Sequence, residues 1–382
     1  MRKANLILLA VILVLVCALV FVSVLVYTAL VRGPAALSPA VTETAVGSFP
    51  SPPDPQAAQS WYEIYFTSPR YPDDKANHQG GIDEKLAAFI DTSRQSVDMA
   101  IYQLDLSNVT DALVAAKARG VAVRVVTDVD TLKDKDENAS FKILQAAGIP
   151  VISGNPNGIM HDKFVVVDGE AVWTGSWNFT ENDTYRYNNN AILLRSPELA
   201  RNYTATFEKM FRGKAFGGAR KPGGTTPTLT IGGAQVKSYF SPEDHVAEKV
   251  AGRLKAASTL IDFMAFSFTE EGIGSAVLDA AGRGVKVRGV FEKTGSETRF
   301  SEFGKLKNAG LDVWQDGNRY LMHHKVFVVD AKTVILGSFN FSSGADEDND
   351  ENLLMIDDPG LVRAFDAEFA KVYDQAAANQ SR

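Results

Sequence analysis

The chain repeats itself. Tyr65-Phe66-Thr67-Ser68-Pro69 returns as Tyr239-Phe240-Ser241-Pro242, and Val97-Asp98-Met99-Ala100 as Ile261-Asp262-Phe263-Met264. Arg119-Gly120-Val121-Ala122-Val123-Arg124 returns as Arg283-Gly284-Val285-Lys286-Val287-Arg288, and Ala147-Gly148-Ile149 as Ala309-Gly310-Leu311. The offset at the middle pairs is 164 residues. A period this long marks a duplicated domain rather than a solenoid, whose units run to roughly 20–50 residues. Within the first copy, β-branched runs alternate with helical spacing. Strands are expected over Ser96–Tyr102 and Val121–Thr127, with a helix over Thr110–Ala118 between them closing at Gly120. A short helix over Phe141–Ala147 closes at Gly148, and strands over Lys163–Asp168 and Glu170–Thr174 flank a turn at Asp168-Gly169. This rhythm predicts an α/β fold of two tandem lobes, each a mixed sheet flanked by helices. The lobes are expected over 61–216 and 236–382, and the Gly-, Pro- and Thr-rich stretch between them, 217–235, reads as a linker.

The N-terminus is of another kind. From Leu6 to Val31 runs an uncharged stretch of 26 residues. As a helix it reaches roughly 39 Å, enough to cross a hydrocarbon core of about 30 Å with some tilt. A cleaved signal peptide normally carries an apolar region of only about 7–15 residues. Residues 1–32 are therefore expected to be an uncleaved transmembrane anchor. Arg2 and Lys3 precede the span and only Arg32 follows closely, which orients the N-terminus to the cytoplasm and the rest of the chain outside a cell membrane. Residues 33–60, rich in Pro, Ala and Ser, read as a disordered tether.

Cys17 is the single cysteine, so neither an internal disulfide nor a cysteine metal cluster can form. Setting aside Arg2, Lys3 and Arg32, and Glu43 and Asp54, leaves 36 basic and 44 acidic residues on the rest of the chain. That balance does not favour non-specific nucleic-acid binding, which rests on a basic surface.

Two of the chain's five histidines fall at equivalent points of the repeat, 162 residues apart. His161-x-Lys163-x4-Asp168 matches His323-x-Lys325-x4-Asp330. Gly175-Ser176-Trp177-Asn178-Phe179 follows the first, and Gly337-Ser338-Phe339-Asn340-Phe341 follows the second at the same spacing. Duplication of a fold accounts for matched apolar residues. Matched His, Lys, Ser and Asn require a further reason, because such groups are costly to bury unsatisfied.

The doubled His-x-Lys-x4-Asp with Gly-Ser-x-Asn resembles the phospholipase D superfamily over nearly everything from Tyr62 to Tyr373. The resemblance implies one active site at the seam of the two lobes, each lobe giving one motif. It implies phosphodiester cleavage through a phosphohistidine, with no cofactor and no metal. Lys163, Lys325, Asn178 and Asn340 would hold the phosphoryl oxygens. One histidine would attack phosphorus, and the other would protonate the leaving alkoxide. Fourteen residues after the motif glycine the second copy has Glu351 where the first has Asn189. In the family this acidic position is expected to reach the histidine of the opposite lobe. Pairing of Glu351 with His161 would make His161 the nucleophile and His323 the acid, since a carboxylate fixes the tautomer and stabilises the charge an attacking imidazole acquires. Asp168 and Asp330, at strand ends, are expected to cap backbone amides. Ser176 and Ser338 are expected to support the histidines or phosphate oxygens, and Trp177 and Phe339 to be core.

Other signals are weaker. Asp346 to Glu351, DEDNDE, places Glu351 where a calcium loop needs glycine. The glycosylation patterns at Asn178 and Asn340 coincide with motif residues. His78 lies in a polar insertion read as surface loop, and His245 and His324 carry no signal beyond surface or local packing. With both half-sites in one chain, a monomer is expected. The motifs are common to lipases and nucleases of the superfamily, and the compact repeats also resemble its nuclease and cardiolipin-hydrolase branch. The anchor and charge point to a phospholipid membrane surface, with DNA or RNA as the alternative substrate. A binder that kept the fold without activity does not account for the complete motif residues in both copies.

Overall fold

The computed structural model describes residues 60–380. The anchor expected over 1–32 lies outside them, as does the tether expected over 33–60 except for its last residue. Among the described residues no helix is long and apolar enough to cross a membrane.

The first lobe is built on β1 (Tyr62–Phe66), β2 (Ser96–Ile101), β3 (Ala122–Asp128), β4 (Val151–Gly154), β5 (Lys163–Val167), β6 (Ala171–Gly175), β7 (Tyr187–Asn188) and β8 (Asn190–Arg195). The second carries β9 (Thr228–Ile231), β10 (Ala234–Ser241), β11 (Leu260–Ala265), β12 (Lys286–Phe291), β13 (Asp312–Gln315), β14 (Leu321–Met322), β15 (Lys325–Val329), β16 (Thr333–Gly337) and β17 (Glu351–Asp357). The first sheet runs β4-β3-β2-β5-β6-β8-β1 and the second β13-β12-β11-β15-β16-β17-β10-β9. Apart from β9 the orders correspond strand for strand. In each sheet two parallel pairings, β2 with β3 and β3 with β4, or β11 with β12 and β12 with β13, join an antiparallel remainder.

The central strands are buried on both faces, which is why Lys163–Val167 and Lys325–Val329 read as continuous apolar runs after their lysines. Phe164 and Val166 point into a core between the sheets, shared with Val326 and Val328. Val165 and Val167 point the other way, against the helices Ile82–Asp91 and Ser107–Ala118. The shared core is completed by the helices Pro197–Phe211 and Pro359–Gln380, through residues such as Tyr203, Phe207, Phe365 and Phe369. Pro197–Phe211 starts where its sequence directs. Ser196 accepts from the amide of Leu199, and proline occupies the first turn, where its missing N–H loses nothing.

Some matched polar residues serve this core. Asp98 and Arg124 face each other across β2 and β3, with Nε 2.7 Å from the carboxylate, and Asp262 and Arg288 do the same across β11 and β12 at 2.8 Å. Arg124 lies 5.0 Å from the ring of Phe207 and Arg288 lies 5.0 Å from that of Phe369, so each pair sets its guanidinium against an aromatic ring of a shared-core helix.

The segment read as a linker, 217–235, contributes to the second lobe. It forms a 3-10 turn at Gly217–Ala219, supplies β9 to the sheet edge, and buries Arg220. Its glycine and proline content reflects tight turns around these elements, not a lack of structure.

Candidate active site

The seam is built by reciprocal backbone pairing. Met160 bridges to Asp350 and Met322 pairs with Asn188, positions that correspond under the offset of 162. The amide of His161 donates to the carbonyl of Asp350 at 3.0 Å, and that of His323 to the carbonyl of Asn188 at 2.9 Å. Each motif histidine is thus fastened to the opposite lobe before its side chain is considered.

The rings are fastened the same way. Nδ1 of His161 lies 2.8 and 2.9 Å from the two oxygens of Glu351, which is wholly buried. Nδ1 of His323 lies 3.0 Å from Oδ1 of Asn189 and 3.2 Å from Oδ1 of Asp183. Carboxylate and amide oxygens only accept, so each Nδ1 carries hydrogen and each Nε2 keeps the lone pair.

Lys163 and Lys325 are both 1% exposed. Their ammonium groups donate to the carbonyls of His161 and His323, at 2.8 and 2.9 Å, and lie near the rings of Tyr102 and Phe266. An ammonium has three donors, so each lysine keeps capacity for an anion. Burial holds Lys163 down to about 8, and burial together with Lys163 holds Lys325 well below the ordinary range. Burial first, then the lysines, also lower both histidines: His161 strongly, and His323 to about 3. Burial pushes Glu351 up to about 8 against the pull of Lys163. A pocket that drives its cations toward neutrality is one that an anion completes, because the anion restores the charge that burial penalises.

Asn178 and Asn340 stand at matched positions, each with a buried Oδ1 that has no hydrogen-bond partner among the described residues. Asn178 Nδ2 lies 3.4 Å from Asp183. Gly175 and Gly337, both at φ +152, let the sheet close tightly here. A Cβ would fall 2.3 Å from the carbonyl oxygen of Asn190 or Asn352. The hydroxyls of Ser176 and Ser338 do not bond the rings of the histidines, although the backbone of Ser338 does hydrogen-bond His161. Ser176 donates to Asn189 at 2.8 Å and accepts from Asn190, and Ser338 accepts from the amide of Asn352. They brace the strands that present Asn189 and Glu351.

Asp168 and Asp330 stand apart from the site. Each sits in the left-handed region, at φ 55 and 58. Oδ1 of Asp168 accepts from the amides of Gln95 and Ser96, and Oδ1 of Asp330 from those of Ser258 and Thr259. These bonds hold Asp330 well below the usual carboxylate range. Trp177 and Phe339 are core, each 1% exposed. His78 stacks on Tyr185 and bonds Asp73 at 2.8 Å, so it is half-buried in its loop.

Three features escape the sequence. Asp183 has Ala345 as its counterpart in the repeat. His324 is wholly buried, with Asn190 Nδ2 2.9 Å from its Nδ1, while its counterpart Asp162 accepts from Asn352 at 2.9 Å. Arg220, from the presumed linker, lies among Asp162, Glu243 and Asp350. The signal for Asp162 and His324 was their adjacency to the motif histidines. Nothing in the local pattern marked Arg220.

A family model described as "Cardiolipin synthase, PLD-like domain" matches twice, at residues 86–211 and 250–373. The phospholipase D of Rickettsia conorii is 33% identical over 132 residues, covering 35% of this chain and 66% of that protein. The mitochondrial cardiolipin hydrolase of Homo sapiens is 36% identical over 122 residues, covering 32% and 48%. The chain therefore spans about half to two thirds of the length of these curated relatives. The solved phosphatidylserine synthase of Haemophilus influenzae superposes with a TM-score of 0.59 over 83% of this chain and 86% of that one, at 14% identity, a likeness of fold. With the family's domain matched in both lobes and the two half-sites meeting at their seam, the chain belongs to the phospholipase D-like family of the cardiolipin synthase type.

Proposed function

We propose that the chain is a phosphodiester hydrolase acting through a phosphohistidine, and that it cleaves phospholipids on the headgroup side. The observation that carries this is the reciprocal seam: two imidazoles, each held at Nδ1 by the opposite lobe, flanked by two buried lysines. Lys163 and Lys325 take the phosphoryl oxygens, and the substrate's charge keeps both protonated. Nε2 of His161 attacks phosphorus. The bond to the headgroup oxygen breaks as Nε2–H of His323 delivers its proton there, releasing an alcohol. Water then adds to phosphorus, giving its proton to His323. The P–N bond breaks, phosphatidic acid leaves, and His161 is neutral again. No step asks for a metal, because the lysines supply the positive charge.

Two features favour lipid over nucleic acid. A cavity of about 270 Å³ is lined by Asp183 and Tyr187, which both neighbour His323, and also by Asp105, Asp136 and Glu137, which a polyanionic strand would meet with repulsion. The apolar stretch from Leu6 to Val31 suits a protein kept at a bilayer, with its catalytic lobes outside the cell membrane. Relatives bear the names phospholipase D and cardiolipin hydrolase.

The test offers the full chain phosphatidylcholine, cardiolipin, single-stranded DNA and RNA in excess chelator, then maps trapped phosphate. Lipid cleavage with phosphate on His161 is expected, and His161→Asn abolishes both. Cleavage of nucleic acid alone would replace the lipid reading. Loss of all activity in chelator would overturn the metal-free route, and phosphate on His323 would reverse the two roles.

A further inference from the structure

The two histidines draw their carboxylates from positions that do not correspond. Glu351 serves His161, and its counterpart Asn189 offers His323 only an amide. Asp183, on the short helix Glu181–Tyr185, adds the missing carboxylate at 3.2 Å, and its own counterpart on Ser343–Glu347 is Ala345. Each lobe thus has an acid where the other has none. We infer that Asp183 is the positioning residue of His323, replacing the carboxylate that position 189 lacks and keeping this imidazole as the one that carries the proton to the leaving group. The inference rests on the phosphodiesterase reading above.

The surroundings of Asp183 fit that task. It is 3% exposed, and its Oδ1 receives the amide of Asn178 at 3.2 Å and Nδ2 of Asn189 at 3.1 Å, while Thr180 donates to Oδ2 at 2.9 Å. Burial works to raise its pKa, but His323 and these donors outweigh it and hold the carboxyl below the usual range. Glu351, by contrast, is pushed up by burial. The firmly ionised carboxylate therefore faces His323, where a proton must be held, and the one closer to neutrality faces His161, which must stay neutral to attack.

The charged and titratable groups facing His323 are Lys325 at the start of β15, Lys163 from β5, Asp183 from its helix and Tyr187 from β7. Both lysines oppose its protonation, and Asp183 favours it. Asn189 touches the same Nδ1 without charge, so it fixes the ring but does not favour the proton.

The test compares two phosphodiesters in the full chain, one with an alkyl leaving group and one with p-nitrophenol, which departs without a proton. Asp183→Asn is expected to slow the alkyl ester by about 100-fold or more, within the range seen when a histidine loses its carboxylate partner. The aryl ester should slow by less than about tenfold, since general acid catalysis contributes little to a good leaving group. The basic limb of the alkyl-ester profile should move down by about one pH unit or more, because an opposing charge at this distance is removed. Asp183→Ala with Asn189→Glu recreates the second lobe's arrangement and should restore most of the alkyl-ester turnover. Equal losses on both esters, or an unmoved basic limb, would overturn the inference. Wild-type protein that cleaves neither ester would refute the phosphodiesterase reading instead. The ¹⁵N titration of His323 in inorganic phosphate then still decides the pairing, an identical titration in Asp183→Asn overturning it.

Discussion

Arg220→Met tests what keeps the two half-sites in register. The guanidinium is fully buried, 3.7 Å from Asp162, 2.7 Å from Glu243 and 3.3 Å from Asp350, and it donates to the carbonyl of Ser241. Asp350 in turn receives the amide of His161 and precedes Glu351, so the network lies directly behind the first half-site. One cation among three carboxylates leaves surplus negative charge. Burial accordingly pushes Asp162 up to about 6 and Asp350 up to about 7, against the pull of Arg220. Methionine fills much of the volume but leaves the carboxylates without a counter-charge. Breaking a buried pair in this way costs about 3–5 kcal/mol. At about 2.1 cal/mol/K per residue over residues 60–380, the melting temperature should fall by about 4–7 °C. The sign with pH follows from the raised pKa values. A carboxyl raised on folding contributes stability below its unfolded pKa of about 4 and loses it as pH rises through the folded value. Removing Arg220 raises Asp162 and Asp350 further, so the variant takes up protons that the parent does not. The loss should be small near pH 5 and complete near pH 8. Urea denaturation and calorimetry at the two pH values read this directly. A loss below about 1 kcal/mol near pH 8 would refute the reasoning, as would the same loss at both.

Two further perturbations act at the site itself. Glu351→Gln replaces one of the two oxygens that face Nδ1 of His161 with an amide donor, which loosens the tautomer, and should lower kcat by about 10²–10⁴-fold. Because burial raises Glu351 to about 8, its contribution to stability is lost as pH rises through that value, so this variant should outlast the parent in urea near pH 9. A variant less stable than the parent there contradicts the assignment. Inorganic phosphate should bind with net proton uptake near pH 8, where burial holds Lys163, and its affinity should fall about tenfold per pH unit above that. Calorimetry in two buffers of different ionisation enthalpy measures the uptake, and its absence means that the lysines are already fully charged.

Much of the fold was legible because the duplication states it twice. The strands read at Ser96–Tyr102 and Val121–Thr127 are present as Ser96–Ile101 and Ala122–Asp128, and the helix read at Thr110–Ala118 begins three residues earlier. Its C-terminal signal was sound: Gly120 sits at φ +91 just past the last turn, where a side chain would be strained. The helix start was misplaced because no capping side chain marks it. Leu106 stands at the N-cap without a side-chain bond, and Ser107 lies already inside. The stretch 217–235 was misread for a related reason. Its turn-rich composition was real, but a single arginine with three acidic partners far away in sequence makes part of it interior. Composition records local preference and carries no trace of a tertiary charge partner.

The site divides along a different line. Residues identical in the two copies, His161 with His323, Lys163 with Lys325 and Asn178 with Asn340, stand out on comparison of the halves. Residues that answer the same need differently do not. Asp162 and His324 each receive an asparagine amide at 2.9 Å from the opposite lobe, yet as letters they share nothing. Asp183 and Glu351 each give a histidine its carboxylate from non-corresponding positions. A two-step displacement needs one imidazole to be neutral while the other holds a proton, so a perfectly symmetric seam would give both rings the same tendency and serve neither step well. The departures from the repeat are therefore where the chemistry is assigned. The shared letters build a pocket for a phosphodiester, and on the proposed reading the exchanged carboxylates, Asp183 on His323 and Glu351 on His161, are what would set the two histidines apart.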